Sequence, residues 1–354
     1  MAGNIYSNRT RCMKKMTMLS DWSSKGISDN IINLTPDVAL TSDDIVIWFD
    51  VMYEEDVANM IKHNGIPGCL ISTAHSEKFV DFCQFDHWPC FLLESSLDMS
   101  SRSGSHDHLP IEYCANFLIN KKQINRYLLL KLVEWFQLTS YDYTWSGLGN
   151  SMDLGRLLDD FDQLPLGLVS DKLKFKNHML AVVKEIVPKF VSSPGEKFTN
   201  SGVINYGSNV WTWDTFLGEM IAKSVVSLIS DSIGYEKYMV YTEKTIYAVH
   251  GLTFPLWIGG YKQAETWRIK GFDVFDDVIN HDYQYCDTLL ERCTRAFADN
   301  LKILTDLDFA REQKIKHLDR LHKNRDLLVP IFQQQDRDFW HRAPMELQQA
   351  KTFF

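Results

Sequence analysis

The densest chemistry in the chain lies in "MVYTEKTIYAVHGLTFPLWIGG", residues 239–260, where an acid and a base stand side by side at the start of a helix-like run. Thr242 suits the N-cap, because its hydroxyl can accept a backbone N–H of the first turn. Glu243 complements the positive end of the helix dipole, whereas Lys244 opposes it unless something anionic faces it. A diphosphate is such an anion, since the free N–H groups and the dipole of a helix N-terminus already favour phosphate. Glu243 would then accept hydrogen bonds from two adjacent ribose hydroxyls. The same three residues also fit a solvated cap with an exposed lysine.

These residues must be positioned by strands and crossover helices, and the first third of the chain alternates the two. "DIVIWFDV" (44–51) and "GCLIST" (68–73) read as buried strands, with a helix over "EEDVANMIKHNG" (54–65) ended by Gly65. A second helix is expected at 76–85 and a third strand at 90–95. Strand, helix, strand at this spacing predicts a parallel sheet. "SSLDMSSRSGSHDHLP" (95–110) is rich in Ser, Gly and Asp and reads as a linker or mobile loop. A new alternation follows: strand 113–120, helix 123–137, strand 140–147, strand 222–232, helix 242–250 and strand 254–260. Residues 148–215 read as an insertion, with a helix at 177–190 and a loop at 192–202. From about 285 the pattern is helical.

The turn therefore follows a strand in an α/β domain, where ligands gather at the carboxyl ends of strands. In this context "TEKT", "FPLWIGG", "GFDVFDDVINHDY" and "ERCTR", in that order, resemble the C-terminal half of GT-B-type glycosyltransferases that carry a TEK motif. The chain is similar to the α1,3-fucosyltransferases and closer still to phage and bacterial glycosyltransferases. "FLINKKQINRYLLLKLV" (117–133) resembles the family's first C-domain strand and helix, which makes Arg126 the counterpart of an arginine that binds the donor phosphate. An arginine fork matches phosphate oxygens; a solvated residue on the first helix turn is the alternative. The resemblance covers roughly residues 113–300, apart from 148–215. It departs where the family's base-stacking Tyr is Val240, with Tyr241 one later, and where "SDS" (230–232) replaces a Glu-Asn pair. Nucleobase and sugar are thereby left open.

The alternation reads as two α/β domains, residues 1–110 and 111–310 with the insertion at about 148–215, and a helical tail over 311–354. The resemblance, which says little about the first 110 residues, implies two Rossmann-like domains in a GT-B-like arrangement with the acceptor against the first and the nucleotide-sugar against the second. It implies that Arg126, Tyr241, Thr242, Glu243, Lys244 and Thr245 hold the donor. Transfer to a hydroxyl requires neutralising a departing diphosphate and, for inversion, a base on the acceptor. Asp50, His75, Glu94 and Asp107, with His106 beside the last, are alternative candidates at strand ends or loops, and each also fits a surface or capping role. No Asp-x-Asp follows a suitable strand and no H-x-x-x-H lies on a helix, so neither a metal nor another cofactor is expected.

Composition sets the outer limits. The chain has 354 residues, enough for two cores, and is 45% hydrophobic and 23% charged, ordinary for a soluble globular protein. Its formal net charge of −9 supplies no overall attraction to nucleic acid, so duplex DNA binding would need a local strip of lysines. Seven cysteines without a C-x-x-C pair read as reduced thiols. The N-terminus lacks an uninterrupted apolar core and no run approaches the ~20 apolar residues of a membrane span, so neither signal peptide nor span is expected. A cytoplasmic location follows, in the host for a phage-encoded enzyme. The expected activity is sugar transfer from a nucleotide-sugar to a hydroxyl, of a glycan first and of hydroxymethylated pyrimidines in phage DNA second. A non-catalytic nucleotide- or carbohydrate-binding protein is the third reading.

Overall fold

The computed structural model describes residues 16–19, 45–48, 61–63, 65, 69–72, 74–75, 84–87, 93, 96–97, 99–100, 106–119, 124–145, 155–165, 167–181, 196–199, 202–205, 217–230, 239–240 and 243–342. The chain is α/β and divides by its contacts into two compact units. One comprises 1–93, 238–241 and 332–354; the other comprises 94–237 and 242–331.

In the first unit, β1 (Met16–Leu19), β2 (Ile45–Trp48), β3 (Cys69–Ser72) and β5 (Gln84–His87) form a parallel sheet in that order. Met16 sits opposite Ile45, Ile45 opposite Cys69, and Cys69 opposite Gln84. The short β4 (Ala74–His75) pairs antiparallel with β11 (Met239–Val240). β2 and β3 lie where the sequence places them, and Gly65, at φ +98°, ends the helical turn at 61–63 by donating to Ile61 O at 2.8 Å.

Three expectations for this region are corrected. Gln84 and Phe85 belong to β5 and not to a helix over 76–85: aromatics three apart at 79, 82 and 85 read as helical, but pairing with β3 overrides that local spacing at the last two residues. Leu93 is helical and not part of a strand over 90–95. Ser96, Leu97, Met99 and Ser100 are also helical, so 95–110 is not a uniform linker. Ser96 and Met99, three apart in sequence, are both buried.

The second unit carries a six-stranded sheet of order β12-β10-β6-β7-β8-β9. Its parallel part is β6 (Tyr113–Ile119), β7 (Tyr141–Trp145), β10 (Ser224–Ile229) and β12 (Phe254–Trp257). β10 and β12 are buried throughout, the pattern of strands covered on both faces. Helix α1 (Ile124–Trp135) carries the chain from β6 to β7 and buries every residue from Asn125 to Val133. α2 (Gly155–Gln163) and α3 (Lys172–Leu180) follow; Asp171 caps α3 by accepting Lys174 N–H, and Tyr127 ties α1 to α3 through Met179 O at 2.6 Å.

The expected loop at 192–202 is corrected to a hairpin. β8 (Glu196–Thr199) and β9 (Gly202–Asn205) pair antiparallel, and Phe198 opposite Trp145 joins them to the sheet edge. α4 (Gly218–Ala222) precedes β10, so the expected strand at 222–232 is shorter and opens on a helix end. α5 (Glu243–His250) connects toward β12, and α6 (Gln263–Ile269) follows it.

The helices α7 (Leu289–Ala298), α8 (Leu301–Thr305), α9 (Leu307–Lys316) and α10 (Leu318–Arg342, with Pro330 inside) complete the described chain. Thr288 caps α7 by accepting Glu291 N–H at 3.2 Å. The "GFDVFDDV" run holds α10 to the second unit. Asp273 accepts Phe275 N–H, an Asx turn that sets Phe275 at φ +62°. Arg320 then grips Asp273 and Asp277 with contacts of 2.6–2.9 Å and lies over the Phe275 ring at 5.0 Å. No described helix is long and apolar enough to cross a membrane.

Candidate functional site

The order of the second sheet creates one special edge. From β6 the chain moves through α1 to β7 on one side, whereas β10 lies on the other side and leads through α5 to β12 beyond it. The winding reverses between β6 and β10, and ligands of open α/β sheets bind outside the carboxyl ends of strands at such a reversal.

α1 delivers Arg126 to this edge. The side chain is 1% exposed, so the solvated alternative for it does not hold. Its Nε donates to the carbonyl of Ser230, the residue directly after β10, at 3.4 Å. The carboxamide of Asn125, equally buried, accepts the Arg126 N–H at 3.1 Å and fixes the entry to the helix. The arginine thus links the helix after β6 to the end of β10.

α5 brings its first turn to the same edge. Thr245 Oγ1 accepts from the indole Nε1 of Trp257, the last residue of β12, at 3.0 Å. Both side chains are buried. Lys244, one residue earlier, is 7% exposed, which corrects the picture of a lysine left in solvent by a surface cap. Glu243 opens α5, while Tyr241 and Thr242 and the side chain of Glu243 lie outside the described residues.

Beyond β12 the chain turns at Gly259 and Gly260. Gly259 has φ +78°, and a Cβ there would come within 2.7 Å of Leu289 Cδ1 and 3.2 Å of Cys293 Sγ. Its carbonyl accepts Arg292 Nε at 3.1 Å, and Arg292 Nη1 also donates to the carbonyls of Cys286 and Asp287. Arg292 is fully buried, and burial lowers its pKa. Asp160, whose carboxyl burial pushes up, acts on Arg292 electrostatically while its Oδ2 accepts Leu290 N–H at 3.2 Å. Cys293 packs beside it as a buried thiol pushed up to about 12 by burial, and Cys114 is likewise a buried free thiol.

Of Asp50, His75, Glu94 and Asp107, only Asp107 has a described side chain. Asp50 and Glu94 lie outside the described residues, and of His75 only its backbone place in β4 is described. Asp107 is paired with Arg325 Nη1 at 2.7 Å. Burial pushes its carboxyl up, but the hydrogen bond and charge of Arg325 outweigh this and hold it below the ordinary carboxylate range. A carboxylate held so is a weak proton acceptor. Among the described residues no group of three or more His, Cys, Asp or Glu is arranged to hold a metal ion.

Two residues at this edge were given no role by the sequence. Ser230 stood only as part of a motif departure, and Arg292 only as part of "ERCTR". Neither carries a periodic signal, since both are defined by the strand ends they meet. No protein-family model matches this chain, and no curated protein matches it.

Proposed function

We propose that this chain is a nucleotide-sugar-dependent glycosyltransferase of GT-B-like architecture, whose second α/β unit holds the donor diphosphate at the β6/β10 reversal. The observation that carries this reading is Arg126: a guanidinium buried in the first turn of the helix after β6 and hydrogen-bonded across the reversal to Ser230. Buried arginine beside a helix N-terminus favours an oxyanion through both charge and N–H donors. Lys244, in the first turn of α5, adds a second positive charge near the end of β12. Together they would stabilise the leaving diphosphate as its charge develops, the step that limits transfer through an oxocarbenium-like state.

The acceptor is a hydroxyl, of a glycan in the leading form of this reading. The test is turnover: the protein is incubated with a panel of nucleotide-sugars and glycan mixtures, and products are followed by mass spectrometry. A mass increase of one sugar on an acceptor, lost in Arg126→Gln, is expected. Binding of donors with neither transfer nor hydrolysis would instead identify a non-catalytic nucleotide-binding protein. Transfer to hydroxymethylated duplex DNA would move the acceptor from glycan to nucleic acid.

A further inference from the structure

The last rung between β10 and β12 is Ile258 N–H to Ile229 O at 2.7 Å. One residue farther along each strand stand Ser230 and Gly259, and each is attached to a polar atom with no partner among the described residues. Ser230 is 1% exposed, and among the described residues its Oγ has no hydrogen-bond partner. Arg292, whose Nε holds the Gly259 carbonyl, is fully buried, and its Nη2 also has no partner among the described residues. Buried polar groups are nearly always satisfied, so two idle ones on adjacent strand ends call for a reason.

The chemistry of the missing partner is constrained. A guanidinium nitrogen only donates, so whatever meets Arg292 Nη2 is an acceptor. A serine hydroxyl can donate as well. A cation meets Ser230 directly, since Arg126 Nε donates to its carbonyl oxygen. Asp160, the described carboxylate that acts on Arg292, already accepts the Leu290 N–H. An acceptor with negative charge and several oxygens fits these demands.

We propose that Ser230 Oγ and Arg292 Nη2 donate to phosphoryl oxygens of a bound nucleoside diphosphate, completing the anion site begun by Arg126. This rests on the nucleotide-sugar reading for the identity of the ligand, but not for the presence of an anion site. The serine supplies a neutral donor that adds no repulsion when the site is empty. The arginine supplies charge while its other nitrogens brace the Gly259 turn and the start of α7.

The experiment is calorimetric titration of the full chain with inorganic pyrophosphate, UDP and GDP, in wild type, Ser230→Ala and Arg292→Lys. Ser230→Ala removes an idle hydroxyl, so the ligand-free melting temperature is expected to hold or rise. A hydrogen bond to a charged group corresponds to roughly tenfold or more in affinity, and a loss of at least that size is expected for pyrophosphate and the preferred nucleotide. Arg292→Lys keeps charge but loses the fork; if it fails to fold, Ser230→Ala alone decides. Equal nucleotide affinity in wild type and Ser230→Ala would overturn the proposal while leaving the nucleotide reading intact, with water satisfying the hydroxyl. Pyrophosphate binding that is weakened by Ser230→Ala, without nucleotide binding, would support the anion site and overturn the nucleotide reading. Absence of binding by all three ligands would overturn the proposal.

Discussion

Arg126 Nε donates to the carbonyl oxygen of Ser230 at 3.4 Å, so the helix that leaves β6 is tied to the end of β10 across the point where the sheet reverses. The two residues are 104 apart in sequence. The bond holds open neither residue's side chain to solvent: both are 1% exposed. A long cationic side chain is therefore kept in the interior at the one sheet edge where an anionic ligand is expected, and its burial is what separates this arrangement from a surface cap.

Arg126 has a structural and a binding consequence that can be separated. Arg126→Met keeps most of the buried volume but leaves the Ser230 carbonyl without this donor. A loss of about 1–3 kcal/mol in unfolding free energy is expected, the cost of an unsatisfied buried group. Urea unfolding measures it. Stability equal to wild type would mean that the 3.4 Å bond contributes nothing.

Lys314 predicts a pH dependence. Its Nζ donates to the carbonyls of Ala222 and Ser224 at 2.9 and 2.6 Å, at the end of α4 and the start of β10, and burial lowers its pKa to about 7. Between that value and the ordinary 10.5 of a free lysine, the unfolded chain binds more protons than the folded one, so this residue's contribution rises with pH. The comparison belongs between pH 7 and 8.5, below the ordinary thiol range. Asp107, the carboxylate that acts on Lys314, is already ionised there. Wild-type stability is expected to climb relative to Lys314→Met across that window. A constant difference between the two proteins would show that Lys314 does not titrate there.

The sequence showed the elements that frame the site better than the contacts that make it. β6 and β12 were legible from their apolar runs, β7 from its aromatic residues alternating with polar ones, and α1 from its helical periodicity. The β8–β9 hairpin was not, since two four-residue strands around Asn200 and Ser201 look like a polar loop until Phe198 meets Trp145. Likewise the helical pattern over "LDFAREQKIK" does not mark Lys314, which lies buried against the start of β10. The Arg325–Asp107 and Arg126–Ser230 pairs join residues more than a hundred positions apart, which no local pattern encodes.

Gly259 is the position where the site tolerates least. At φ +78° an L side chain is strained, and an added Cβ would press on Leu289 and Cys293. Gly259→Ala is expected to cost about 1–2 kcal/mol for the left-handed backbone alone. Part of the loss should appear as weaker ligand binding, because the Gly259 carbonyl positions Arg292. Thermal melting with and without UDP or GDP checks both. Unchanged melting in both conditions would mean that the turn relaxes freely.

The central claim is that the buried positive edge of the second unit binds a nucleoside diphosphate, and a thermal-shift panel tests it most directly. Wild type and Lys244→Met are melted alone and with each common nucleoside diphosphate and nucleotide-sugar. Methionine retains the apolar stem of this 7%-exposed side chain, and each protein's shift is read against its own ligand-free melting temperature. The account predicts that at least one nucleotide raises the wild-type melting temperature by several degrees, as saturating ligand does, and that Lys244→Met loses most of that rise. No shift of wild type by any nucleotide, or an equal shift in the variant, would contradict it.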